Sequence, residues 1–206
     1  MNIALTGANG FMGKIIKAEL EKAGHEVYSE RTPIIGEPLK GIDCIIHCAR
    51  HHGYITGDIT PDKWHGEFET DVRLPYEYTM QMVEANQSLN NVIFISSIYG
   101  IKPPTVRPIP MNYCVCKAAE IHLAKCLAVD LAPKVRVNTV IFGGVLSDRA
   151  EAQQDEPGFR EAYGKITLNG HMVLTDEVAG AIKFLVSEES KGMTGAEIKV
   201  DGGYTV

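Results

Sequence analysis

The chain has 206 residues, of which 45% are hydrophobic, and a formal net charge of −6. This length and apolar content suit one globular domain over residues 1–206, and an acidic chain without a basic block is not expected to bind nucleic acid. No apolar run approaches ~18 residues, so no membrane span is expected. Five cysteines without a secretory signal favour reduced thiols in the cytoplasm.

Short apolar runs alternate with amphipathic stretches along the chain. They predict strands at 3–5, 27–30, 44–48, 92–96, 135–142 and 196–200, and helices at 11–23, 64–85, 113–131 and 175–185. Gly24 is expected to end the first helix, and Thr175 to cap the last. This alternation predicts an α/β Rossmann fold, in which a doubly wound parallel sheet has helices on both faces.

The connection after the second predicted strand is short. Only thirteen residues, 31–43, precede the next strand, and they include two prolines and two glycines. A doubly wound nucleotide-binding fold has a helix and an outer strand at this place, and that crossover needs more chain. The sequence therefore predicts a shortened or missing third strand/helix unit.

A glycine-rich loop, residues 6–13, follows the first strand. Gly7 can form a tight turn, Gly10 lets the backbone approach a pyrophosphate, and Gly13 lets the helix pack on the sheet. The amides after Gly10 would then point at the phosphates, helped by the helix dipole. The glycines are three residues apart, which differs from the Gly-x-Gly-x-x-Gly spacing of dehydrogenases.

Tyr113 and Lys117 are four residues apart, so both side chains lie on one face of the predicted helix. A neighbouring ammonium favours the phenolate of a tyrosine, whose ordinary pKa is ~10. Ser97 closes the strand before this helix and could hold a substrate oxygen. The three residues predict proton exchange with a substrate. Cys114 and Cys116, two residues apart, diverge on the helix, and no metal site is expected.

Six motifs, in this order, resemble the short-chain dehydrogenase/reductase family over nearly the whole chain. They are TGANGFMG at 6–13, DCIIHCA at 43–49, ISS at 95–97, YxxxK at 113–117, VNTVIFG at 137–143 and TGAEIKVDGG at 194–203. The first two are similar to the extended branch, which includes nucleotide-sugar epimerases. The last is similar to the compact branch of carbonyl reductases, and the chain has no room for the extended branch's substrate domain.

The resemblance implies a role for each matching position. Tyr113 would donate or accept a proton, Lys117 would lower the pKa of the tyrosine and bind the nicotinamide ribose, and Ser97 would hydrogen-bond the substrate oxygen. The cofactor-binding positions would include Gly7, Asn9, Gly10, Phe11, Met12, Gly13, His47, Cys48, Ala49, Gly143, Val145 and Ser147. The resemblance also implies a substrate lid at about 146–172, and a homodimer or homotetramer paired through the helices that carry Tyr113 and Trp64.

One catalytic-site position departs from the family pattern. Asp71 stands seven residues after Trp64, where the family usually has an asparagine. An ionised carboxylate cannot donate a hydrogen bond. We expect Asp71 to pair with Lys117, to weaken the positive field at Tyr113 and to shift activity to alkaline pH; the alternative is a surface aspartate.

The end of the second strand bears on the choice of cofactor. Glu30 would bind the ribose hydroxyls of NAD, whereas Arg31 and Thr32 would favour the 2′-phosphate of NADP. We predict an NADP(H)-dependent oxidoreductase that reduces a small carbonyl or oxidises the alcohol, with NAD as the alternative cofactor. Two other functions remain open: an epimerase or dehydratase with tightly held NAD, and a non-catalytic nucleotide-sensing protein.

Overall fold

A computed structural model describes residues 1–30, 37–51, 59–104, 109–146 and 158–206. The strands are β1 (Asn2–Thr6), β2 (Glu26–Glu30), β3 (Cys44–His47), β4 (Asn91–Ser97), β5 (Arg136–Phe142) and β6 (Glu197–Val200). The helices are α1 (Phe11–Lys22), α2 (Pro61–Phe68), α3 (Leu74–Ala85), α4 (Met111–Asp130), α5 (Phe159–Gly164) and α6 (Thr175–Val186). A π-helical turn, Glu69–Arg73, joins α2 to α3.

The six strands form one parallel sheet in the order β2-β1-β3-β4-β5-β6. This confirms the predicted α/β class. In the described part of the chain β2 is the edge strand, and residues 37–43 contain no helix. The outer strand/helix unit is therefore missing from the described residues, as the short connection predicts. Residues 31–36 lie outside them.

The two sides of the sheet bury different side chains because successive residues of a strand point to opposite faces. Ile93 and Ile95 pack on the side covered by α1 and α6. Val92 and Phe94 pack on the side covered by α3 and α4. The strands are parallel, so their carboxyl ends share one edge, which is where ligands bind in such sheets.

The starts of three helices differ from the sequence prediction, and α4 begins at Met111 rather than at residue 113. The helix predicted from residue 64 begins at Pro61, where the Lys63 N–H donates to the Thr60 side chain at 3.3 Å. The prediction that Thr175 caps the last helix is wrong. Leu174 occupies the N-cap, and its N–H donates to the Glu177 carboxylate at 2.7 Å, which stabilises the helix start without a capping hydroxyl. Helix α5 was not predicted.

Candidate active site

The glycine loop is held close to the end of β3. Gly7 has a φ of +69°, and a Cβ there would lie 2.6 Å from the Ala49 Cα. A Cβ at Gly13 would lie 2.2 Å from the Gly7 carbonyl oxygen. Helix α1 begins without a side-chain cap and has no acidic residue in its first turn. A cradle of bare backbone at an uncapped helix N-terminus fits the pyrophosphate of a dinucleotide.

Thr6 ties the glycine loop to the residues after β3. Its hydroxyl oxygen accepts the N–H groups of Cys48 and Ala49 at 3.1 and 3.2 Å. The imidazole of His47, the residue before Cys48, is instead buried. Its Nε2 lies 2.8 Å from the Thr79 hydroxyl, and burial lowers the pKa of His47 to about 3. The His47 side chain is therefore a neutral core residue, while Cys48 and Ala49 lie beside the loop.

The other predicted cofactor residues are spread along the same edge. Asn9 and Phe11 are exposed at the loop, and Met12 is half-buried. The Gly143 N–H donates to the Val200 carbonyl at 2.9 Å, and Val145 forms a β-bridge with Val173. Arg31, Thr32 and Ser147 lie outside the described residues.

Ser97, Tyr113 and Lys117 meet beyond the end of β4. Ser97 is the last residue of β4, and its hydroxyl forms a hydrogen bond with Tyr113. The Lys117 Nζ lies 5.8 Å from the centroid of the Tyr113 ring. A second cation, Arg50, which follows β3, has its guanidinium carbon 5.3 Å from the same centroid.

Close backbone packing brings these three residues together. Gly100 follows Ser97 in a 3₁₀ turn, and a Cβ there would lie 2.8 Å from the Lys117 carbonyl carbon. The Ser96 hydroxyl donates to the Lys117 carbonyl at 3.2 Å. The turn after β4 therefore lies directly against α4, which fixes the serine relative to the tyrosine and the lysine.

Asp71 lies in the same place, on the π-helical turn. It is fully buried, and its Oδ1 is 3.3 Å from the Lys117 Nζ. Pro75 has no N–H to donate to the Asp71 carbonyl four residues earlier, which suits a widened helix at this point. The expected pairing of Asp71 with Lys117 is present in the structure, and a surface location is wrong.

Two further buried carboxyl groups surround Lys117. Glu120, one turn after Lys117 on α4, has Oε2 3.1 Å from the Nζ. Glu67, one turn before Asp71, is fully buried, and neither of its carboxyl oxygens has a hydrogen-bond partner among the described residues. Sequence reasoning missed both, although the spacing of Glu67 from Asp71 and of Glu120 from Lys117 matches a helical turn.

Burial and neighbouring charge oppose each other at this site. Burial raises the pKa of Tyr113 and outweighs the lowering by Lys117, Arg50 and the Ser97 hydrogen bond, while Asp71 raises it further. The pKa of Tyr113 is thus above the ordinary tyrosine value, whereas the sequence predicted that Lys117 would lower it. For Lys117, burial alone would lower the pKa, but Asp71 and Glu120 raise it overall.

Burial raises the pKa of Glu67 to about 7. The pKa of Glu67 is therefore higher in the folded protein than in the unfolded chain, where it is ~4.5. The stability that Glu67 contributes is fully present below the unfolded-state pKa and is lost as pH rises through about 7. We expect Glu67→Gln to gain stability relative to the wild type over this window, by about 2–3 kcal/mol. Urea unfolding at several pH values measures the difference in the free energy of unfolding between Glu67→Gln and the wild type. The exposed Glu84→Gln is the control, and parallel curves for Glu67→Gln and wild type would contradict the expectation.

The family follows from sequence comparison. A family model described as enoyl-(acyl carrier protein) reductase matches residues 30–205. Cyclopentanol dehydrogenase of Comamonas sp. (strain NCIMB 9872) is 34% identical over 151 residues, which are 72% of this chain but only 59% of that protein. The 3-oxoacyl-[acyl-carrier-protein] reductase FabG of Rickettsia bellii (strain RML369-C) is 27% identical and covers 97% of this chain and 94% of its own. The chain belongs to the short-chain dehydrogenase/reductase family.

Solved structures agree on the fold. A gluconate 5-dehydrogenase from Burkholderia cenocepacia J2315, in complex with NADP and tartrate, has a TM-score of 0.81 at 18% identity and covers 99% of this chain and 94% of its own. A short-chain dehydrogenase from Leptospira borgpetersenii with bound NAD+ has a TM-score of 0.82 at 21% identity and covers 100% of this chain and 92% of its own.

Within the described ranges, none of the helices combines the length and apolar character that crossing a bilayer requires.

Proposed function

We propose that the protein is an NADP(H)-dependent short-chain oxidoreductase that reduces a small carbonyl compound, or oxidises the corresponding alcohol, with Tyr113 as general acid or base. One observation carries the proposal: Ser97, Tyr113 and Lys117 converge beyond the carboxyl ends of the strands, at the edge where the glycine loop forms its cradle. The domain extent, 1–206, the lid and a cytoplasmic location stay predictions.

The site supplies the groups that carbonyl reduction needs. A nicotinamide dinucleotide, when bound, supplies the hydride. Ser97 orients the carbonyl oxygen, Tyr113 gives it a proton, and Lys117 places positive charge beside the phenol. By the family resemblance, Gly143 and Val145, which follow β5, would line the nicotinamide; Ser147, given the same role by the resemblance, lies outside the described residues.

The preference for NADP rests on Arg31 and Thr32, which follow β2. One observation favours NAD instead: Glu30 ends β2 in register with Thr6, directly before the glycine loop. An acidic side chain at that place binds ribose hydroxyls and repels a 2′-phosphate. NADP remains the proposed cofactor on the basis of Arg31 and Thr32, and NAD is the competing one.

The deciding experiment is a fluorescence titration with NADPH and NADH, followed by a panel of carbonyl substrates. The panel should include a cyclic ketone, a keto-sugar and a 3-oxoacyl thioester, which represent the substrates named for the relatives. We expect tighter binding of NADPH and turnover of at least one class. Failure of both dinucleotides to bind would overturn the proposal, and cofactor that survives dialysis would favour an epimerase or dehydratase.

The role of the glycine loop in dinucleotide binding can be tested by adding a single methyl group at Gly13. Gly13→Ala would put a Cβ 2.2 Å from the Gly7 carbonyl oxygen and force α1 away from the loop. We expect dinucleotide affinity to fall more than about tenfold, with a stability loss of about 1–3 kcal/mol. Gly180→Ala on α6, where the Cβ meets open space, is the control and should gain about 0.5–1 kcal/mol. Unchanged affinity in Gly13→Ala would remove the loop from the binding site.

A homodimer or homotetramer is part of the proposal. Large apolar side chains on α2, α3 and α4 are more than a third exposed, which suits subunit contacts: Trp64, Phe68, Tyr76, Met111 and Val115. Light scattering on the titration sample measures the oligomeric state.

A further inference from the structure

The surroundings of Lys117 hold more carboxyl groups than one buried cation can compensate. Asp71 lies 3.3 Å and Glu120 3.1 Å from the Lys117 Nζ, and Glu67 is buried without a hydrogen-bond partner among the described residues. With all three carboxyl groups ionised, Lys117 would leave two negative charges unbalanced. Burying an unbalanced charge costs several kcal/mol. One ion pair beside two neutral carboxyl groups is therefore the stable arrangement near neutral pH.

The pKa directions agree with this assignment of protons. Burial raises the pKa of Glu120 to about 8, against the lowering by Lys117, and that of Glu67 to about 7. Lys117 keeps its proton because the pKa of Lys117 is raised overall. Lys117 pairs with Asp71 at 3.3 Å, and the carboxyl groups that are mainly protonated below about pH 7 are Glu67 and Glu120.

Neither the neighbouring thiols nor Arg50 holds the exchangeable proton. Burial raises the pKa of the Cys48 and Cys116 thiols to about 12, so both stay neutral. Arg50, exposed at the end of β3, acts on both Glu67 and Tyr113 as a permanent cation. The His51 imidazole lies against Gly66, next to Glu67.

We propose that Glu120 and Glu67 store the proton that replaces the one Tyr113 gives to the substrate during carbonyl reduction. This inference rests on the proposed oxidoreductase function. Both residues act through Lys117 and are positioning residues. The phenol is already neutral in the resting site, so it is ready to donate.

The proton transfers balance. The carbonyl carbon gains a hydride, with its two electrons, and the oxygen takes the phenol proton from Tyr113. The phenolate regains a proton from the Lys117 ammonium as the same nitrogen takes one from the Glu120 carboxyl 3.1 Å away, so that Lys117 carries its charge before and after the step. Glu67, coupled electrostatically to both Asp71 and Lys117, holds the second stored proton. Solvent restores the carboxyl protons between turnovers.

The first test is infrared titration of the cofactor-free protein, which requires no turnover. Protonated carboxyl groups have a carbonyl stretch that carboxylates lack. We expect such bands at about pH 6 and their loss by about pH 9. Glu67→Gln should remove one and Glu120→Gln the other, while Glu84→Gln, an exposed carboxyl on α3, should remove neither. Absence of both bands from the wild type would overturn the proposal.

The second test is the pH dependence of reduction with the best carbonyl of the panel. Glu120→Gln should lower kcat about tenfold with KM unchanged and flatten the wild-type decline between about pH 7 and 8, and Glu120→Asp should restore part of the rate. Wild-type profiles in Glu67→Gln and Glu120→Gln would reject proton storage. If no dinucleotide binds, the oxidoreductase function fails and this role with it, although the infrared bands still report the buried protons.

Discussion

Tyr113→Phe is expected to lower kcat for carbonyl reduction by roughly 10²–10⁴-fold, the usual contribution of a positioned acid or base. The substitution removes only the phenol hydroxyl and its hydrogen bond to Ser97, and the ring keeps its place between Lys117 and Arg50. The Kd for the dinucleotide should therefore stay within about threefold of the wild type. Steady-state kinetics and the fluorescence titration measure the two effects separately.

Tyr76→Phe is the matched control, because Tyr76 lies on α3 with nearly half of its surface exposed. It should leave kcat unchanged. If Tyr113→Phe also retained full activity, the general acid would lie elsewhere. If it bound dinucleotide and retained the cellular function without turnover, the nucleotide-sensing alternative would gain support, since Asp71 already compensates the Lys117 charge.

The features that depend on the local pattern of apolar residues and glycines could be predicted from the sequence. Apolar alternation and glycine placement predicted the strands, helix α1 and the loop, because those features depend on side-chain periodicity and backbone freedom. The absence of the outer unit from the described residues could be predicted from chain length alone, since thirteen residues cannot form a crossover and a strand. The spacing of Tyr113 and Lys117 was enough to place them on one helical face.

Features that depend on long-range packing could not be predicted in the same way. His47 belongs to a motif associated with cofactor binding, yet its imidazole packs beside Thr79 and Phe94, which lie far away in sequence. Glu67 and Glu120 look like surface residues of amphipathic helices. Only the approach of the π-helical turn to α4 buries them together. The burial of Tyr113 itself reverses the expected direction of its pKa.

Lys117→Met is expected to destabilise the protein by about 3–5 kcal/mol near pH 8, because it leaves the Asp71–Glu120 pair of carboxyl groups buried without their cation. Carboxyl groups in that position must take up protons to remain buried, so their folded-state pKa values rise above those of the unfolded chain. Stability is then lost as pH rises, and the deficit should shrink toward about pH 5. Urea unfolding at both pH values measures the difference.

Lys125→Met provides the control on the same helix. Lys125 is about half exposed and pairs with Glu197 at the surface, so its loss should cost at most about 1 kcal/mol at either pH. Adding Asp71→Asn to Lys117→Met should recover a large part of the stability, because the double variant removes both members of the ion pair. A deficit that is independent of pH and not rescued by Asp71→Asn would mean that Lys117 stabilises the fold through packing of its aliphatic stem rather than through its charge.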